Sequence, residues 1–98
     1  MSSYTISESE AVELTTTWRT NNPTKKRAFC MDKAELDEIF SNAEAVQMRV
    51  YLGEDESGIR PVMVGVDATG NDILEPIYDH ATTCPTNCDE SSVLNTGV

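Results

Sequence analysis

Apolar residues recur with a helical period in the first half of this chain and with an alternating one in the second. Ala11, Leu14, Thr15 and Trp18 fall at i, i+3, i+4 and i+7, which puts them on one stripe and predicts a helix over residues 8–20. Ser7, three residues ahead of Glu10, has the spacing of a capping box at its start. Asn21-Asn22-Pro23 ends it, because proline lacks the amide and disfavours helical geometry in the residue before it. Leu36, Ile39, Phe40 and Ala43 repeat the stripe and predict a second helix over residues 33–41, with Asp32 as its N-cap and Glu35 three residues on. Between the two, Ala28-Phe29-Cys30 reads as a brief strand or an ordered link.

From Ala45 the period becomes two. Val46, Met48, Val50 and Leu52 alternate with Gln47, Arg49 and Tyr51, so the first set is expected on a core face and the second toward water. Gly53-Glu54-Asp55-Glu56-Ser57-Gly58 has the composition of a surface reversal, and Val62, Val64 and Val66 then alternate again. So short a link requires antiparallel pairing, since a parallel crossover needs a dozen or more residues. The result is a β-hairpin from about Val46 to Val66, with Val46, Met48, Val50, Val62 and Val64 expected on one buried face. After a turn at residues 67–72, Ile73, Leu74, Ile77 and Tyr78 suit a short third strand that Pro76 interrupts.

The expected fold class is α+β, with two N-terminal amphipathic helices packed on one face of a small antiparallel sheet of two to three strands. Residues 1–79 are read as a single compact domain, and residues 80–98, which are rich in Thr, Asn and Ser, as an irregular cysteine-containing tail. Trp18, Phe40, Leu14, Leu36, Ile39, Val46, Met48, Val50, Val62 and Val64 form the expected core.

Charge and size narrow the functions available. The 98 residues carry seven Lys and Arg against seventeen Asp and Glu, for a net charge of −10. Residues 46–98 hold nine acids and only Arg49 and Arg60, a balance that repels a phosphate backbone, so no nucleic-acid partner is expected. A chain of this length has one modest core and no room for a deep enclosed site. No apolar run is long enough to span a bilayer, and the first ten residues lack the basic and apolar regions of a secretory signal, so a cytoplasmic location and no membrane contact are expected. The odd number of cysteines (Cys30, Cys84 and Cys88) reads in a reducing compartment as free thiols, with a Cys84–Cys88 bridge as the minority alternative.

Candidate chemistry is sparse. His80, Cys84 and Cys88 stand four residues apart, flanked by Asp79 and Asp89, and a His with two thiolates is a sensible zinc set. Pro85 and Asn87 argue against the continuous helix that would align them, and a fourth ligand is missing. Zinc is therefore the one cofactor the residues suggest, and incidental tail cysteines are the plainer reading. Thiol–disulfide exchange at Cys84 and Cys88 has three intervening residues where thioredoxin-like motifs have two, and no nearby Lys or Arg lowers a thiol pKa. Cys30, between Phe29 and Met31, reads as a small buried apolar residue. The loop at residues 67–72 fails the EF-hand pattern, and no phosphate loop, nucleophile elbow or metalloprotease pair occurs. Two interaction candidates remain. Lys25, Lys26 and Arg27 form the basic cluster, suited to an acidic partner surface or an anion, although three charges more often make a solvated connector. Arg49 and Tyr51 share the wet face of the hairpin, and both residue types are enriched at binding hot spots.

Several segments together resemble a family of small uncharacterised proteins of Bacteroidetes bacteria. They are Glu13-Leu14-Thr15 through Asn22-Pro23, Arg49-Val50-Tyr51 with its acidic turn, Val64-Gly65-Val66-Asp67 through Gly70-Asn71-Asp72, and Cys84-Pro85 with Cys88. The resemblance implies that the Cys84-Pro85 and Cys88 tail is a family feature, which favours a metal or disulfide role for it. His80 is not part of that pattern, and no activity or catalytic residue comes with it. The expected function is a non-enzymatic protein-interaction domain with a protein partner still to be identified. The alternative is a metal-binding or thiol-redox module using Cys84 and Cys88.

Overall fold

The hairpin is present over nearly the expected span, and its strands run further into the turn than the alternation alone marks out. In the computed structural model, which describes residues 4–79, 82–84 and 86–97, its strands are β2 (Gln47–Asp55) and β3 (Gly58–Val66). The other elements, in chain order, are α1 (Glu8–Asn21), β1 (Ala28–Cys30), α2 (Lys33–Phe40), β4 (Asp72–Tyr78), β5 (Thr82–Cys84) and α3 (Val93–Thr96). The class is α+β. Strands β2, β3 and β4 form an antiparallel sheet in that order, and β1 pairs with β5 in a second, two-stranded sheet. The chain divides into two compact units, residues 1–28 with 83–98, and residues 29–82.

In the unit of residues 29–82, the turn decides which side chains are buried. Only Glu56 and Ser57 separate the last hairpin pair, Asp55 opposite Gly58, and Gly58 takes φ +110°, where a Cβ is strained. A two-residue loop at that position sets Val50 opposite Met63, Leu52 opposite Pro61 and Met48 opposite Gly65. Directly paired residues share a face. Met48, Val50 and Leu52 therefore lie with Pro61, Met63 and Gly65, whereas Val62, Val64 and Val66 lie with Tyr51, Arg49 and Gln47. The expected grouping of Val62 and Val64 with Val46, Met48 and Val50 is one residue out of register, and such a slip moves every side chain of one strand to the other face.

The central strand β3 is consequently buried on both faces. Met63 and Val64, which point in opposite directions, are each 2% exposed, and Val66 is buried too. On the Met63 side, α2 covers the strand with Ile39, and Gly65 makes the close approach feasible. A Cβ at Gly65 would stand 3.3 Å from both the Ile39 Cγ2 and the Ala45 Cβ. Asp32 occupies the N-cap position of α2 as expected, but its side chain makes no capping bond; its carbonyl accepts from the Glu35 and Leu36 amides at 3.1 and 3.3 Å. Strand β4 pairs with β3 in two stretches, Gly65 and Val66 opposite Ile73 and Asp72, then Met63 opposite Tyr78. The register breaks between them, in the segment that contains Pro76 and its cis peptide bond to Glu75.

Of the expected core, Ile39 and Val64 are buried. Leu36, Met48 and Val62 are half-buried, while Leu14, Trp18, Phe40, Val46 and Val50 are exposed. An eight-residue helix can cover only part of a hairpin of nine-residue strands, which leaves the Val50 and Leu52 end of that face open.

In the unit of residues 1–28 and 83–98, α1 begins as its sequence predicts. The Ser7 Oγ accepts from the Glu10 amide at 3.1 Å and donates to the Glu10 carboxylate at 3.2 Å. The stop at Asn22-Pro23 is also present, with the Asn22 backbone amide and side-chain amide both donating to the Trp18 carbonyl. The segment expected to be an irregular tail carries β5 and the single turn α3. Ser92 caps α3 by accepting from the Leu94 amide, and Gly97 closes it at φ +81°. Cys84 and Cys88 are joined in a disulfide, so the expectation of free thiols is corrected for both. Cys30 is the free thiol, and it is exposed rather than buried.

Candidate functional site

The two hairpin residues picked out by chemistry, Arg49 and Tyr51, lie two positions apart on β2 and so on the same face. Both converge on Asp72. The Arg49 Nη1 donates to Asp72 Oδ1 at 2.5 Å, the Tyr51 hydroxyl donates to Asp72 Oδ2, and the Arg49 Nη2 reaches the Gly70 carbonyl at 3.4 Å. The Tyr51 oxygen and then the Asp72 carboxylate raise the Arg49 pKa above its already high ordinary value, so the guanidinium stays charged. Since Arg49 is opposite Val64 and Asp72 is opposite Val66, the pair crosses β3 on the face that carries these two valines. The aliphatic stem of Arg49 and the Tyr51 ring thus cover apolar surface while their polar ends meet one carboxylate.

Asp72 is delivered by an ordered loop. The Asp67 Oδ1 accepts from the Thr69 amide, the Thr69 hydroxyl and the Asn71 amide at 3.0, 2.8 and 3.0 Å, and the Asp67 amide donates to the Asn71 carbonyl at 3.0 Å. These bonds, the Thr69 hydroxyl first and the Asn71 amide next, hold the Asp67 carboxyl below its ordinary pKa. The sequence reading missed Asp72 because its partners are 21 and 23 residues away, and nothing local distinguishes it from any acidic turn residue.

Beside this cluster the sheet is open. Strand β2 is an edge of the three-stranded sheet. Val50, Tyr51 and Leu52 are consecutive on it and all exposed, Leu52 at 75%. Arg60 on β3 pairs with Asp55 at 3.1 Å and Asp79 at 2.6 Å, both exposed contacts near the hairpin tip.

The remaining candidates fall elsewhere. Lys26 and Arg27 belong to the other unit and are directed at its C-terminal segment. The Lys26 Nζ donates to the Thr83 hydroxyl at 3.3 Å, the Arg27 amide to the Cys84 carbonyl at 2.5 Å, and the Arg27 Nη1 to Asn95 Oδ1 at 3.0 Å. Lys25 is exposed. Cys84 is buried and Cys88 half-buried within their bridge, and His80 lies outside the described residues. A disulfide sulfur offers no thiolate, so a metal could use Cys84 and Cys88 only after reduction. Among the described residues no group of three or more His, Cys, Asp or Glu side chains is placed to hold a metal ion, and no helix is long and apolar enough to cross a membrane.

No family model, no curated protein and no solved structure matches this chain.

Proposed function

We propose that this chain is a non-enzymatic protein-interaction domain that receives an extended segment of another protein along the β2 edge. The observation that carries this reading is the run Val50-Tyr51-Leu52, exposed on an edge strand and flanked by Arg49. A long edge offers unpaired backbone donors and acceptors, and adding a strand to it satisfies them while alternate side chains of the guest read the neighbouring surface. Tyr and Arg suit that task because each combines a large apolar area with a polar end. Asp72 fixes both in advance, which lowers the ordering cost of binding.

Affinity capture from the protein's own cells, comparing the intact chain with Leu52→Asp, tests the reading. A partner recovered by the first and lost by the second supports it. Turnover of a small molecule with no partner recovered would contradict it.

The Cys84–Cys88 bridge favours a thiol–disulfide module as the second reading. In a reducing compartment such a bridge is a redox pair, and in an oxidising one a staple.

A further inference from the structure

The unit of residues 1–28 and 83–98 carries an open cleft of about 170 Å³, lined by Leu14, Thr15, Trp18, Arg19, Arg27 and Leu94. Its apolar walls are wet: Leu14 is 64%, Trp18 40% and Leu94 45% exposed. Its geometry is nevertheless held. The Trp18 indole donates to the Lys26 carbonyl at 2.9 Å, the Arg19 Nη1 to the Leu94 carbonyl at 2.7 Å and the Arg19 Nη2 to the Thr16 hydroxyl at 3.0 Å. Arg27 is held by Asn95 as described above.

Charge sets this cleft apart from the rest of the chain. Residues 29–82 hold twelve acids and three bases, and each of those bases, Lys33, Arg49 and Arg60, has a carboxylate partner. Residues 1–28 with 83–98 hold five acids and four bases, and among the described residues none of Arg19, Lys25, Lys26 and Arg27 is within ion-pair distance of a carboxylate. Among the described residues the acceptors that position Arg19 and Arg27 are neutral, and a guanidinium carries more donors than these bonds use. In a chain of net charge −10, this is where an anionic group would be welcomed.

Size selects the kind of ligand. Pockets for whole small molecules run to roughly 300–1,000 Å³, whereas a cavity of about 150 Å³ takes one benzene ring. The cleft therefore matches one large apolar side chain, with the guanidinium groups left for carboxylates on either side of it.

We propose that this cleft docks an acidic linear segment of a partner protein. One Phe or Leu of that segment enters between Leu14, Trp18 and Leu94, and its flanking Asp or Glu residues pair with Arg19 and Arg27. The inference shares with the proposed function the view that the chain works by protein contacts, but it rests on a different surface.

Trp18 is the chain's single tryptophan, so its fluorescence reports occupancy of the cleft directly. The full chain is titrated with the capped hexapeptide Asp-Asp-Glu-Phe-Glu-Asp at low ionic strength, alongside a Phe-to-Ser version of the peptide, phenylpropionate and inorganic phosphate. Expected is a saturable change with the Phe peptide that weakens as salt rises. Arg27→Gln should weaken it about tenfold, as loss of one charge-assisted hydrogen bond does. Leu14→Asp, at a position 64% exposed, should weaken it further in a chain whose circular dichroism shows it folded, while Tyr51→Ala on the β2 edge should leave it unchanged. Absence of a saturable change would overturn the proposal. So would equal binding of the Ser peptide, phenylpropionate or phosphate, or undiminished binding to a folded Arg27→Gln.

Discussion

Arg49 on β2 and Asp72 on β4 meet at 2.5 Å across the central strand between them, and Tyr51 donates to the same carboxylate. This contact ties both edges of the sheet together on the face that carries Val64 and Val66. Because one carboxylate serves two donors, the three side chains should act as a unit. Asp72→Asn should lower the thermal midpoint more than Asp79→Asn, whose carboxylate meets Arg60 at an exposed site. In a double-mutant cycle, the cost of Asp72→Asn should shrink once Arg49 is already Met. Thermal melts of the four chains of that cycle check it, and strict additivity would count against the network.

The register makes a second prediction. Met63→Ala, which empties a buried site, should cost about 2–5 kcal/mol, and Gly65→Ala, which pushes a methyl against Ile39 and Ala45, about 1–3 kcal/mol. Leu52→Ser should stay within about 0.5 kcal/mol because Leu52 is already in water. Denaturant unfolding of the three variants measures these values. A large loss at Leu52 with none at Met63 would mean the hairpin is in the other register.

These two predictions also mark how far the sequence could be read. The change of period at Ala45, the Ser7 cap and the Asn22-Pro23 stop are local signals, and each element they imply is present. Which face of β3 joins which face of β2 depends on one residue of loop length, and Glu54-Asp55-Glu56-Ser57-Gly58 does not mark the centre of its own turn. Gly53 did carry a hint. It sits inside β2 opposite Arg60, where a Cβ would approach the Arg60 carbonyl oxygen to 2.9 Å, so it is a strand residue and not a turn boundary. Leu14 and Trp18 show the other limit. Their helical stripe is real, yet it lines an open cleft with Leu94, a residue some eighty positions from Leu14 that no period connects to it. Asp72 is not legible locally because its partners lie 23 and 21 residues away, and the Cys84–Cys88 bridge because a thiol pair closes according to its redox surroundings.

Tyr78 gives a pH test. Its hydroxyl bonds to the Glu38 carboxylate on α2, and this contact, helped by partial burial and the nearby Glu35, raises its pKa from 10.0 to about 12. A phenol whose folded pKa lies above its unfolded one stabilises the fold fully below pH 10 and loses that contribution as pH climbs toward 12. Ultraviolet titration of the folded chain should show a phenol ionising near pH 12 that disappears in Tyr78→Phe. The variant's stability should also fall less steeply over that alkaline range. Persistence of the late transition in Tyr78→Phe would contradict the assignment.

The cysteines give a count. Native protein should present one reactive thiol, Cys30, and denatured, reduced protein three. Closing so short a loop constrains the unfolded chain modestly, by about 2 kcal/mol at most, so Cys88→Ser should remain folded with a lower melting midpoint. Three thiols titrating freely in native protein purified without reductant would remove the bridge and reopen Cys84 and Cys88 as metal ligands.

The claim that the β2 edge is the working surface is tested most directly by placing a photo-crosslinking amino acid at position 52 and irradiating the protein's own cells. The account predicts one dominant protein adduct. It should be strongly reduced by Tyr51→Ala and by Arg49→Ala, in chains whose circular dichroism shows them folded, and unaffected by Arg27→Gln. The same crosslinker placed at position 74, on the opposite edge strand β4, should give no such adduct. No adduct at position 52, or equal adducts at both positions regardless of Tyr51, would contradict it.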